Sequence, residues 1–202
     1  MIEIIEHIEQ GSEEWHRYRI GSIGGSRISR VAAKGEGKMR KQLLYDTVGE
    51  IISGEIKDSY TNKYMQDGTE NEDEARQYYS LITGNEVHQV ALIRDQPHKH
   101  VSPDGLIGDG GMVEIKNVIP SVFVEYRLTG AIPIAYRRQM QWGLKRSGRA
   151  WCDYVVYCKA FVGKADPMVV VRIERMEKEI AELEAEADAF IEEMLQIVKR
   201  LK

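Results

Sequence analysis

Two carboxylates and a lysine lie close together in the stretch SPDGLIGDGGMVEIKNV, residues 102–118. Asp104 and Glu114 stand on either side of a glycine-rich turn, and Lys116 follows Glu114 by two residues. Carboxylate oxygens are the ligands that Mg²⁺ prefers, and a phosphate can supply further oxygens. An ammonium group beside such a site can orient an attacking water or offset charge that develops on the phosphate. The residue types therefore point to phosphate chemistry assisted by a divalent cation.

The spacing predicts how a hairpin would position these groups. If Asp104 ends one strand and Glu114 lies on its neighbour, both carboxylates reach one rim of a sheet. Residues two apart in a strand share a face, so Lys116 lies beside Glu114. The side chain of Ile115 then points into the core, and its carbonyl is placed to act as a further ligand. Hairpins with charged exposed faces are also common without any function, and on these residues alone that alternative stays open. Asp109, in the glycine turn itself, is expected only to be solvated.

Helices precede this hairpin in the sequence. The pattern SEEW, from residue 12, resembles a capping box and predicts a short helix that ends near Gly21. The segment GGSRISRVAA predicts a second helix with Ser26 near its start. Apolar residues at helical spacing predict further helices at residues 38–53, 68–82 and 131–146. The only linker-like stretch is KGEGK, residues 34–38.

Short β-rich runs separated by turn residues begin after Gly84. The runs are NEVHQVALIRD, HVSPDGLIG and GMVEIKNV before the helix predicted at 131–146, and AWCDYVVYC and PMVVVRIE after it. This order predicts an α/β fold of the mixed α+β kind, with one central mixed sheet flanked by helices. The length of 202 residues favours a single domain over residues 1–202.

An apolar stripe with alternating steps of three and four predicts a C-terminal helix from about residue 174 to 202. The stripe comprises Ile173, Met176, Ile180, Leu183, Ala187, Phe190, Met194, Ile197 and Leu201. It could support contacts with another subunit or a partner, or it could lay the helix against the sheet of its own chain. Both alternatives stay open.

The totals of the chain restrict its class. No run of about 18 apolar residues exists, and acids occupy the N-terminus where a signal peptide carries lysines. We therefore expect a soluble, cytoplasmic protein with no membrane partner. The net charge of −4 argues mildly against a nucleic-acid protein. However, residues 172–202 hold nine acids against six Lys or Arg, which leaves 23 acids and 22 Lys or Arg in the remainder. The body of the protein can therefore still present a positive face to DNA.

Cysteine and histidine do not predict a second kind of metal site. Cys152 and Cys158 are predicted on one strand about 20 Å apart, so they cannot pair, and two cysteines are too few for a four-cysteine site. Four of the five histidines are interpreted as surface or strand residues, namely His16, His88, His98 and His100. The tryptophans are interpreted as core anchors, namely Trp15, Trp142 and Trp151.

Five sequence blocks occur in the order and approximate spacing of one enzyme family. The blocks are EQGSEEWHRYRIGSIGGS, GTENEDEAR, SPDGL, VEIK and AYRRQMQ. Over residues 8–172 the chain thereby resembles the phage lambda-type exonucleases, or alkaline exonucleases, of the YqaJ viral recombinase group. The resemblance implies a fold like that of type II restriction endonucleases. It also implies an Mg²⁺-dependent exonuclease that digests the 5′-ended strand of linear duplex DNA to 5′-mononucleotides and leaves a 3′ overhang.

The resemblance implies a role for each acid. Asp104 would bridge two Mg²⁺ ions, for which Mn²⁺ is expected to substitute. Glu114 and the carbonyl of Ile115 would hold the catalytic ion, and Lys116 would assist the nucleophilic water. In such chemistry one ion generates hydroxide and the other stabilises the departing oxygen.

A further ligand is implied by the block GTENEDEAR. Glu72 follows Gly68 by four residues, as the matching glutamate does in the family. Glu70 and Asp73 are the alternatives in this block. All of these acids could instead form a solvated helix start that the helix dipole favours.

Other matching positions imply contacts with DNA. Arg19 and Ser26 match residues that hold the 5′-phosphate, as a guanidinium and a hydroxyl near a helix N-terminus can do. A surface arginine and a helix cap are the alternative. Ser102 could add another phosphate contact, and Gln139 would lie against the active site, whereas Gln141 is turned about 200° away on the helix. The family commonly has a Thr-Ala-Ser-like run where this chain has SIGGS.

The resemblance also implies an assembly and a setting. Members form closed trimeric rings around DNA, work beside a phage single-strand annealing protein and are encoded by a phage or prophage in a bacterial host. Two rival functions stay open. One is an endonuclease of the same fold, and the other is a non-catalytic DNA-end-binding protein.

Overall fold

The computed structural model describes residues 1–33, 37–56 and 71–202. Within these ranges the helices are α1 (Glu13–Arg19), α2 (Gly25–Val31), α3 (Lys38–Ser53), α4 (Glu72–Thr83), α5 (Pro120–Thr129), α6 (Ile134–Ser147) and α7 (Glu177–Leu201). The strands are β1 (Glu3–Ile5), β2 (Val87–His88), β3 (Leu92–Gln96), β4 (Lys99–Val101), β5 (Gly105–Ile107), β6 (Gly111–Asn117), β7 (Trp151–Tyr157) and β8 (Met168–Glu174). Residues 34–36 of the linker-like stretch lie outside the described residues, as do Gly68 and Glu70. No helix in the described ranges is long and apolar enough to cross a membrane.

A five-stranded sheet with the order β2-β5-β6-β7-β8 forms the centre of the fold. Strands β6 and β7 pair in parallel, and the other neighbours pair antiparallel. A smaller antiparallel sheet has the order β1-β3-β4. The predicted fold, a mixed α/β class with a central mixed sheet flanked by helices, is confirmed.

Helices cover both faces of the central sheet because side chains alternate along β6. Met112 packs in one cluster with Phe123 of α5 and Met140 of α6. Ile115 packs in another cluster with Tyr79 of α4. The prediction that Ile115 points into the core is therefore confirmed. Helices α5 and α6 also form the crossover that a parallel pair such as β6 and β7 requires.

The apolar stripe of the C-terminal helix packs on other helices of its own chain rather than on the central sheet. Its buried residues are Ile180, Leu183, Ala187, Phe190, Met194 and Val198. Most of them share an apolar cluster with Leu43 and Val48 of α3. The predicted stripe was too long, because Ile173 belongs to β8 and Leu201 is exposed. The stripe thus covers the core of this chain, and the idea that it lies against the sheet was wrong.

Two other elements differ from the sequence prediction. The run at residues 85–95 forms two strands that belong to different sheets. The run at residues 100–108 is also divided, between β4 and β5, so Asp104 directly precedes β5 and does not end a strand. Helix α5 was not predicted, because Val122 and Val124 favour strands and its apolar spacing is weak. Pro120 in its first turn and Gly130 at its left-handed C-cap were the available signals.

Candidate active site

Asp104 and Glu114 lie on neighbouring strands of one hairpin. Gly105 pairs with Val113, and extending this antiparallel register by one residue places Asp104 opposite Glu114. Oδ2 of Asp104 accepts the backbone N–H of Ile115 at 2.6 Å. The hairpin therefore brings the two carboxylates of distant sequence positions to one end of the sheet.

Glu114 is a buried carboxylate with one occupied and one unpaired oxygen. Its Oε1 accepts from Nζ of Lys116 and from Nε2 of Gln139, each at 2.5 Å. Its Oε2 is buried and has no hydrogen-bond partner in the part of the chain that the structure describes. Burial raises the pKa of Glu114 to about 7, and Asp104 and Glu72 act in the same direction against Lys116. The side chain is thus held in place through Oε1, and Oε2 is free to bind a ligand.

Lys116 is the cation of this group. Burial disfavours its charged form, but Glu114 and Asp104 outweigh burial and raise its pKa. Its ammonium lies 5.0 Å from the centre of the Tyr136 ring. The ammonium therefore stays protonated at neutral pH.

Helix α6 presents Gln139 to the carboxylates, as predicted. Gly25 of α2 faces it, and a Cβ at Gly25 would lie only 3.1 Å from Cγ of Gln139. Gln141, also as predicted, faces elsewhere, since it donates to the carbonyl of Glu174 and accepts the N–H of Met176.

Glu72 is the first residue of α4 and reaches the same end of the sheet. Burial and then the charge of Asp104 raise the pKa of Glu72 to about 7. Arg76 binds Oε1 of Glu72 at 2.6 Å and the backbone oxygen of Asp104 at 3.1 Å. It also pairs with Asp73, whose side chain is 77% exposed. Sequence reasoning missed Arg76, although its spacing of four residues from Glu72 was a signal.

Asp104, Glu114 and Glu72 together supply an excess of negative charge that suits a divalent cation. Burial raises the pKa of Asp104 too, while Lys116 opposes this effect. Within the described ranges, no three Asp, Glu, His or Cys side chains are already arranged as a metal shell. Glu72 points to Arg76 and one oxygen of Glu114 to Lys116 and Gln139. The donor types fit Mg²⁺, and Arg76 binds only one of the two carboxylate oxygens of Glu72.

Arg19 and Ser102 are joined through one tryptophan. The guanidinium of Arg19 lies 3.7 Å from the ring centre of Trp15, and Nε1 of Trp15 donates to Oγ of Ser102 at 3.1 Å. Ser102 is two residues from Asp104 in the chain, which is the link between this group and the hairpin. Burial lowers the pKa of Arg19 to about 10, and the nearby charge of Arg27 adds to this effect. An anion bound here would offset both the burial of the Arg19 charge and its repulsion by Arg27.

Ser26 lies in the first turn of α2 and is exposed, while Gly24 before the helix is buried. A Cβ at Gly24 would lie 2.6 Å from Nε2 of His100. The glycines of SIGGS therefore let the start of α2 approach His100 and Gln139 closely. His100 does lie in a strand, as interpreted, but it is buried and bonded to Arg19 and Ser22, which no sequence pattern indicated.

Comparisons with known proteins found one matching family model and several solved structures similar to this chain. The model of the YqaJ-like viral recombinase domain matches residues 14–150. The crystal structure of an alkaline exonuclease from Laribacter hongkongensis is similar with a TM-score of 0.85 and 33% identity over 94% of this chain and 96% of that chain. The crystal structure of the same protein in complex with dAMP is similar with a TM-score of 0.87 and 34% identity over 95% of this chain and 96% of that chain. A phage-related exonuclease from Haemophilus somnus shares the fold with a TM-score of 0.69. Its identity is 12% over 90% of this chain and 96% of that chain. No curated protein sequence matches significantly.

Proposed function

Because the chain belongs to the YqaJ-like viral recombinase domain family, we propose that it is an Mg²⁺-dependent exonuclease of double-stranded DNA. It digests the 5′-ended strand to 5′-mononucleotides and leaves a 3′ single-stranded overhang. The observation that carries this proposal is the convergence of Asp104, Glu114 and Glu72 with Lys116 at one end of the sheet. The similar enzyme from Laribacter hongkongensis is an alkaline exonuclease and has been solved with dAMP, a deoxynucleoside monophosphate of the kind that digestion would release.

The acids would hold two Mg²⁺ ions, and Mn²⁺ would substitute. Asp104 would be shared, and Glu114 with the carbonyl of Ile115 would hold the catalytic ion. Glu72 would complete the set. The bound ions would supply a nucleophile at neutral pH and stabilise the leaving oxygen. Oε2 of Glu114 is buried and has no hydrogen-bond partner in the described chain, so it is available as a metal ligand.

Lys116 and Gln139 would orient the reacting groups. Lys116 stays charged beside Glu114, so it can hold the attacking water and offset negative charge on the scissile phosphate. The neutral amide of Gln139 both donates and accepts, so it fixes Glu114 and retains an oxygen for a water molecule.

End recognition would come from Arg19, Ser26 and Ser102. In this proposal Arg19 binds the terminal phosphate and the carboxylates act on the first phosphodiester of the same strand, so digestion starts at the 5′ end. In this proposal the active protein is a homotrimeric ring around DNA. It is encoded by a phage or prophage, acts in the cytoplasm of a bacterial host and hands its overhang to a phage single-strand annealing protein for recombination.

The proposal is tested by digesting linear duplex DNA that is labelled at the 5′ or the 3′ end, with Mg²⁺ and with EDTA. We expect release of the 5′ label as mononucleotide with Mg²⁺ only. Preferential release of the 3′ label would contradict the polarity.

Circular plasmid distinguishes the rival functions. An exonuclease leaves a closed circle intact, an endonuclease of the same fold cuts it, and a non-catalytic end-binding protein degrades neither circular nor linear DNA. Digestion of the circle would replace the proposal with the endonuclease alternative.

A further inference from the structure

His100 lies in β4 and is 3% exposed, yet both of its ring nitrogens are bonded. Nε2 lies 3.1 Å from Nε of Arg19, and Nδ1 lies 2.7 Å from Oγ of Ser22. The ring thus connects the turn before α2 to the arginine at the end of α1. None of the chemistry proposed above uses it.

The bond to Arg19 determines the tautomer of the ring. The Nε of a guanidinium always carries a hydrogen and can only donate. Nε2 of His100 must therefore accept, and the proton of the neutral ring lies on Nδ1, which donates to Ser22. Burial lowers the pKa of His100 well below its usual value, and the charges of Arg19 and Arg27 lower it further. The neutral ring that the geometry requires is thus also the form that the surroundings favour.

Two contacts fix the guanidinium of Arg19. The Trp15 ring lies 3.7 Å from its carbon and sets its plane, and the bond from Nε to His100 sets its rotation within that plane. In the described part of the chain, the two terminal nitrogens of Arg19 make no hydrogen bond. They form the edge of the guanidinium that binds two oxygens of a phosphate side by side.

We propose that His100 is the positioning residue for the 5′-terminal phosphate, acting through Arg19. The bond from Nε turns the two terminal nitrogens toward the phosphate, so a phosphorylated end is preferred over a hydroxyl end. This inference rests on the proposed function of Arg19. The alternative is that His100 only fills the core under α2.

The variants His100→Asn and His100→Gln separate these roles. The amide group of asparagine is as many bonds from Cβ as Nδ1 of histidine is. His100→Asn can therefore keep the hydrogen bond to Ser22, but it loses the acceptor for Nε of Arg19. The amide group of glutamine is as many bonds from Cβ as Nε2 of histidine is. The amide oxygen of His100→Gln can therefore still accept from Nε of Arg19. Each variant loses one of two buried bonds, which makes the pair matched in stability, as the midpoints of thermal unfolding would verify.

The measurement is the initial rate on linear duplex with 5′-phosphate ends divided by the rate with 5′-hydroxyl ends. We expect this ratio to fall about tenfold in His100→Asn and to remain near the wild-type value in His100→Gln. An unchanged ratio in His100→Asn, or a wild-type enzyme without preference for phosphate, would overturn the proposal. So would an equal loss on both kinds of end, since a merely structural role predicts that.

Binding distinguishes a failure of this proposal from a failure of the proposed function. If the wild-type protein digests no DNA, the exonuclease assignment is wrong, and the same pair of ends is compared by the fluorescence anisotropy of a short labelled duplex in EDTA. Tighter binding of the phosphorylated duplex that is lost in His100→Asn and kept in His100→Gln would still support the role of His100. The ¹⁵N shifts of the ring, which report the proton on Nδ1, provide a readout without DNA.

Discussion

At the scale of single residues, the site is defined by carboxylates whose pKa values are raised by burial and, for Glu72 and Glu114, also by neighbouring carboxylates. Glu72 and Glu114 both have a pKa of about 7, mainly because they are buried and also because Asp104 is close. Lys116 is the counter-charge that makes burial of Glu114 possible. Such a group of acids is unfavourable for the isolated fold, and strongly shifted pKa values of this kind cluster at functional sites.

Replacement of Asp104 tests whether the hairpin is an active site. We expect Asp104→Asn to lower Mg²⁺-dependent digestion at least about a hundredfold, since the amide cannot supply the shared charge. The amide oxygen can still accept from Ile115, so the fold should persist. The matched control is Asp109→Asn in the exposed turn of the same hairpin, for which the rate should not change. Equal rates in the two variants would mean that the hairpin is a charged turn and not an active site.

The pH dependence of stability tests the state of Glu114. Its pKa rises from about 4.5 in the unfolded chain to about 7 in the folded protein, so the folded state favours the proton. The stabilising contribution is complete below about pH 4.5 and is lost as the pH rises through 7. In EDTA, the free energy of unfolding should therefore fall between pH 5 and pH 8.

The variant Glu114→Gln should remove roughly 1–3 kcal/mol of that fall, measured by urea unfolding. Mg²⁺ at pH 8 should restore stability to the wild-type protein and not to the variant. A stability that rises from pH 5 to pH 8 to the same extent in both proteins would contradict the shifted pKa.

At the scale of elements, the position of the site depends on helices that pack around the sheet. Helix α6 carries Gln139, and it is held from outside by α7. The buried Lys99 and Arg146 both pair with Glu184 of α7. Since an unpaired buried charge is strongly destabilising, these pairs fix where α7 lies. The apolar stripe of α7 supplies the remaining contacts.

Two leucines of α7 provide a matched test of that packing. Leu183 is 5% exposed in the apolar cluster, whereas Leu195 is 42% exposed. Leu183→Ala should lower the free energy of unfolding by about 2–4 kcal/mol because it leaves a cavity, and Leu195→Ala by less than about 1 kcal/mol. Denaturant unfolding measures both. Similar losses would mean that the stripe does not face the core of its own chain.

At the scale of the whole molecule, a net charge of −4 has to be reconciled with DNA as a substrate. The C-terminal segment carries more acids than bases, whereas Arg19 lies at the end of α1 and Arg27 and Arg30 lie in α2. Enclosure of DNA in a ring would also keep the enzyme on its substrate without strong static contacts. The assembly therefore matters to the proposed function.

Light scattering during gel filtration tests the ring. We expect a mass three times that of the 23.1 kDa chain, both in EDTA and with Mg²⁺. Salt at about 0.5 M controls for association that only surface charges produce. A protein that remains monomeric or dimeric under these conditions would rule out a closed trimer.

The sequence by itself determined the fold class, the family and the choice of the central residues. Periodicity predicted most helices and strands, and the spacing of Glu114 and Lys116 fixed their shared face because strand geometry is local. The order of five blocks identified the family. Glu72, Arg19, Ser26 and Ser102 were selected by that resemblance, and their roles remain predictions.

Only the tertiary structure decided which distant residues meet. The bond of Gln139 to Glu114, the contact of Arg76 with Asp104 and the link from Trp15 to Ser102 join segments whose separation in the chain gives no pattern. His100 shows the limit most clearly. A histidine in a short strand has the same sequence signal at the surface and in the interior. Its burial, its tautomer and its bond to Arg19 follow from how α1, α2 and β4 pack together, and packing is a property of the whole chain.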